Sequence, residues 1–131
     1  MKPLTDESGS IVVGGALVGL VLVMIIAVAS VGGAIGAYTK AAAAADAAAL
    51  AAAPVTFRPF GASGSPAQEA ALFARANGAT LVSCRCSIDR SWETRTVLVT
   101  VERTVAIMGI GTIRVHATSR ATFEPVALLN R

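Results

Sequence analysis

Residues Ile11–Ala37 read IVVGGALVGLVLVMIIAVASVGGAIGA, and no charged residue falls between Glu7 and Lys40. A helix rises about 1.5 Å per residue, so roughly 20 apolar residues cross the ~30 Å hydrocarbon core of a bilayer. These 27 residues exceed that length. A helix buried in a soluble core keeps a polar side at the 3.6-residue period, and this stretch has none. The expectation is a membrane-spanning helix over residues 11–37. A second reading stays open, because Ala27-Val28-Ala29 has the A-x-A form of a signal-peptidase site behind an apolar run. Against it, the run is longer than a usual signal core. The preceding tail also sets Lys2 against Asp6 and Glu7 instead of carrying net positive charge.

Within the run, Gly15 and Gly19 form one G-x-x-x-G, and Gly32 and Gly36 form another. Small residues four apart leave a smooth strip where a second helix approaches closely, which makes these four glycines candidate packing sites. Glycine is also frequent in membrane helices for no such reason.

Outward from the run, the tail 1–10 is polar, with Asp6, Glu7 and Ser8 suited to a helix start. On the other side comes AAAAADAAALAAA, residues 41–53. Alanine is the best helix former, so the helix continues until Pro54 stops it. Ile11 to Ala53 would be one rod of 43 residues, roughly 65 Å long. Its outer part buries little surface but lets other helices come close. Asp46 is the lone charge there, on a solvated side or paired with a neighbouring subunit's cation.

Residues 54–65 are loop-like. Ser65-Pro66-Ala67-Gln68 has the pattern of a capped helix start, and the helix should close at Gly78 with Leu72 and Phe73 as its bulky apolar residues. Three strands follow by alternation. In Thr80–Ile88, Val82, Cys84, Cys86 and Ile88 share a face. In Arg95–Val105, Val97, Val99, Val101 and Val105 share one. In the third, Ile113, Val115, Ala117, Ala121 and Phe123 face inward, opposite Arg114, His116, Thr118, Arg120 and Thr122. Short links and one-sided patterns predict an antiparallel meander with one wet face. The fold class is therefore α+β: a long transmembrane helix extended by an alanine-rich segment, a short helix and a three-stranded meander. By residue, this gives a tail 1–10, a span 11–37, a helical extension 38–53, a loop 54–65, a small head 66–125 and a tail 126–131.

Composition narrows the function. From Tyr38 onward there are ten Lys or Arg and six Asp or Glu, scattered without a basic run, which argues against nucleic-acid binding. The only histidine, His116, falls on the polar face, and Cys84 and Cys86 fall on the apolar one. Two thiols and one imidazole leave a structural zinc site one ligand short, so no metal or cofactor is expected. In a regular strand, residues i and i+2 lie about 6.5–7 Å apart, so the two cysteines cannot bridge each other while the strand is regular, and they are expected as small core residues. No nucleophile elbow, phosphate loop or hydrolytic pair of acids occurs, and an enzyme is not expected.

One arrangement is shared with a known family. Glu7 and Gly9-Ser10 precede the apolar helix, Ala43-Ala44-Ala45-Asp46-Ala47-Ala48-Ala49-Leu50-Ala51 follows it, and Asn77-Gly78-Ala79-Thr80-Leu81-Val82-Ser83-Cys84 opens the first strand. The order resembles the TadE-like family, particularly the short variant encoded beside secretion and helicase genes in GC-rich Gram-positive bacteria. The resemblance implies a pilin-like component of a tight-adherence (Flp-type) pilus or a type II/IV-like secretion machine. Its partners would be other pilin-like or secretion-system membrane subunits, membrane lipid and a prepilin peptidase, with the carboxyl-terminal domain outside the cytoplasm. Processing after Gly9, leaving Ser10 first, is what the family pattern would place here. That pattern also wants a glutamate five residues into the mature chain, where this sequence has Gly14. The alternative function, following the A-x-A site, is a secreted protein released after Ala29 and acting on a host or envelope partner. Charge does not choose an orientation, with Lys2 on one side and Lys40 on the other.

Overall fold

The structure, a computed structural model, describes residues 8–57, 64–107 and 111–129. Helix α1 spans Ser8–Val55, 48 residues and roughly 72 Å. It begins three residues before the expected Ile11, and Asp6 and Glu7 lie outside the described residues. It also runs past Ala53. Pro54 sits inside the last turn, and Thr56 and Phe57 close the end with backbone bonds to Ala53 and Pro54. Proline removes one donor there without ending the helix at once. A second helix, α2 (Pro66–Ala76), starts with the expected capping box between Ser65 and Gln68. Three strands follow: β1 (Thr80–Arg85), β2 (Arg95–Ile107) and β3 (Gly111–Phe123), in an antiparallel sheet of order β1-β2-β3. A short 3-10 turn, Pro125–Leu128, comes last.

Both helices lie on one face of the sheet, α1 against β2 and β3, and α2 against α1 and β1. The helical side of the core is almost wholly methyl groups. Ala41, Ala44, Ala45, Ala48, Ala49, Ala52 and Ala53 are buried, recurring every three to four residues so that they share one side of α1. Ala70 and Ala74 play the same part on α2. The sheet supplies the bulk through Val97, Val99 and Val101, with Ala117 and Ala121 beside them. Leu72 and Phe73, the bulky apolar residues of α2, are exposed. Two helices and a sheet in close contact leave room for alanine on α2, and the large side chains turn outward.

The first strand departs from simple alternation. Leu81 pairs with Val101 and Ser83 with Thr100, so Val82 is an extra residue in a bulge. One inserted residue exchanges the faces. Leu81 and Cys84 pack on the core, while Val82 is exposed. The strand ends at Arg85, short of the expected Ile88, which is exposed. The regular strand that would keep Cys84 and Cys86 apart does not extend to Cys86, although both pack against the core as expected. With Cys86 outside the ladder their Cα atoms approach to 5.3 Å, and the two sulfurs are bonded.

Polar contacts fix the ends of the core face. Arg95 and Arg103 stand at inward positions on β2, flanking the valines. Arg103 Nη1 donates to the carbonyls of Asn77 (3.2 Å) and Gly78 (3.1 Å) just past the end of α2. Gly78 is left-handed, with φ of 72°, and a Cβ there would come 2.8 Å from Arg103 Nη1. At the other end the Arg95 guanidinium lies 5.4 Å from the centre of the buried Phe57 ring. It also donates to the carbonyls of Ser91 and Glu93. Asp89 orders the same link, accepting from the Ser91 backbone and hydroxyl, and these bonds hold its carboxyl below the usual range. The Asp89 backbone N–H donates to the Thr56 carbonyl at 2.9 Å, tying the link to the end of α1.

Two outcomes follow from this packing. Ala48→Leu adds bulk to a fully buried position and is expected to cost about 1–3 kcal/mol, while Ala43→Leu on the exposed side stays within about 0.5 kcal/mol. Urea unfolding of the detergent-solubilised chain, followed by Trp92 emission, measures both. Alkylation of the unreduced chain is expected to add nothing, and to add two groups after reduction of Cys84–Cys86.

Candidate functional site: one helix in two environments

α1 divides sharply along its length. From Ala37 on, one side of it is buried in its own head. Before that, the large apolar residues from Val12 to Ile35 are between 53% and 73% exposed. A surface this long, apolar and uncharged has no stable place in water. It is the one helix among the described residues long and apolar enough to cross a membrane.

The four glycines expected as packing sites lie on this bare part. A Cβ added at Gly15, Gly19, Gly32 or Gly36 would meet nothing within 4 Å among the described residues, although Gly36, next to the buried Ala37, is half-buried. Gly9 and Ser10, the candidate processing site, fall in the first turn of α1. Gly14, where the family pattern has glutamate, is also bare.

Asp46 does not lie alone on a solvated side. It is exposed, but it accepts a hydrogen bond from the Ser119 hydroxyl of β3, so it clasps the rod to its own sheet. The alanine segment likewise contacts its own head, where a neighbour's helix had been the expected partner. On the outer face of the sheet, His116 Nε2 lies 3.4 Å from Glu102 Oε2, and the Thr100 and Thr118 hydroxyls pair at 2.9 Å. No group of three metal-ligating side chains occurs among the described residues.

A feature the sequence reading missed is a cleft of about 280 Å³ between α1 and the end of the β2–β3 hairpin. Ile25, Ile26, Ala29, Ser30 and Gly33 form one side, and Val105–Ile107 the other. Ile107 is buried at 8% exposure. The strands therefore reach back along α1 into the apolar run. The available signal was the absence of charge from Thr104 to Ile113.

Gly15 and Gly19 give a clean test, since a Cβ added at either meets no other described residue. Gly15→Leu with Gly19→Leu is expected to leave the unfolding transition of the head unchanged. Self-association in bilayers is expected to weaken about tenfold, or about 1.4 kcal/mol. Energy transfer between labelled copies in vesicles measures it.

Comparison with protein families, curated proteins and solved structures finds no match to this chain.

Proposed function

We propose that this chain is a non-enzymatic, single-span, pilin-like subunit of a tight-adherence (Flp-type) pilus or a type II/IV-like secretion apparatus, with its head outside the cytoplasm. The observation that carries the reading is the division of α1. Its carboxyl half is the stalk of a small α+β head, while its amino half is bare, uncharged and interrupted by glycines with open space around them. Such a helix serves as an anchor and offers a surface to helices of the same kind.

Two further features support it. The Cys84–Cys86 bond suits an oxidising compartment, in keeping with a head outside the cytoplasm. The cleft argues against release after Ala29. Cleavage there would remove Ile25, Ile26 and Ala29, leaving the hairpin end facing water.

The mature amino end, read by mass spectrometry from the cell-surface fraction, tests the proposal. An intact end, or one at Ser10, in a fraction that also holds pilus or secretion subunits is expected. An end at Ser30, or recovery of the chain alone from the medium, overturns it.

A further inference from the structure

We infer that the end of the β2–β3 hairpin dips into the bilayer beside α1, and that the cleft between them holds a lipid acyl chain. The inference rests on α1 crossing the membrane. It starts from an excess of length, since 27 apolar residues are more than the roughly 20 a bilayer needs. Counting from Ile11, 30 Å of helix ends near Ser30. The residues lining the cleft, Ile25 to Gly33, bracket that level. The hairpin end thus stands where hydrocarbon gives way to headgroups, beside the surplus turns of the apolar run.

Its composition suits that place. Thr104 pairs with Arg114, and beyond them come Val105 with Ile113, Ala106 with Thr112 and Ile107 with Gly111. These three uncharged pairs extend the hairpin by about 10 Å, comparable to the 5–10 Å to which interfacial segments bury their apolar parts. Arg114 is exposed at the edge of the uncharged end, at the height of the headgroups, where a cation is favoured by anionic lipid.

The choice of occupant follows from continuity. The cleft opens onto Ile25 and Ile26, 58% and 54% exposed on the helix face that lipid must cover. Ile25 and Ile26 belong both to that face and to the lining of the cleft, and none of the lining residues is charged. Ser30 cannot mark it as polar, because its hydroxyl donates to the Ile26 carbonyl at 2.8 Å. Whatever covers Ile25 therefore also enters between Ala29 and Val105, and an acyl chain is thin and flexible enough to do so.

The test uses the full chain in phosphatidylcholine vesicles, with bromine as the quencher, near the headgroup end of one acyl chain or at its middle. Trp92 is replaced by phenylalanine, and tryptophan is placed singly as Ala106→Trp, Thr112→Trp or Leu17→Trp. Emission from positions 106 and 112 is expected to shift to the blue and to fall about twofold with the shallow bromine, as for a group within 5–10 Å of the acyl boundary. Leu17→Trp should respond to the mid-chain bromine, and Trp92 of the unaltered chain to neither. Two sites on opposite strands guard against one substitution disturbing the fold. If Leu17→Trp is quenched and both hairpin sites stay unquenched and red, the inference fails while the anchor stands. Blue but unquenched emission at the hairpin sites shows another copy's helix in place of lipid, which also overturns it. If Leu17→Trp itself is unquenched, the membrane-crossing reading fails and takes the inference with it.

Discussion

Close approach between α1 and its sheet is the constraint on which the head depends, and methyl groups make it possible. Alanine projects one carbon, so the sheet can draw near to the helix axis only while every inward position on those turns stays small. The valines of β2 then fill the interval. With so little bulk on the helical side, the remaining contacts gain weight. Ser119 bonds Asp46 across the helix–sheet seam, and Arg95 and Arg103 bracket the apolar face of β2. Phe57 meets Trp92 and Phe123 at one end, where large rings gather.

The same economy bounds what the sequence could tell. Long periodic elements were legible: the apolar run, the capped start of α2 and the alternation of β2 and β3 all appear as their residue patterns require. The faults lie where a local pattern has two solutions. The Leu81-Val82 pair breaks strict alternation, and only the register with Val101 and Thr100 decides that Leu81 points inward. Cys84 and Cys86 could not bridge in an ideal strand. The ladder stops at Arg85, and the geometry that forbade the bond goes with it. Leu72 and Phe73 stand out in the sequence as the bulky apolar residues of α2, yet its buried residues are Pro66, Ala70 and Ala74.

The alanine segment is the instructive case. Its composition announces close approach but not the partner. A neighbouring helix and the chain's own sheet both satisfy it, and the choice lies in contacts that no local window contains. Gly15 and Gly19 present the same ambiguity in a purer form, because among the described residues nothing would meet a Cβ added at either.

A simple comparison of lengths links the two halves of the molecule. Thirteen strand residues at about 3.3 Å each extend roughly 43 Å, the rise of about 28 helical residues. β2 starts beside Phe57 at the end of α1, so a strand laid back along the helix must reach the neighbourhood of Ile26. The hairpin could not be this long and remain beside the alanines alone. The hairpin end therefore lies beside the apolar run of α1, and Thr100, Thr118, Glu102 and His116 occupy the sheet face turned away from that helix. The head and the bare Gly15 and Gly19 are thereby carried on one continuous helix, α1.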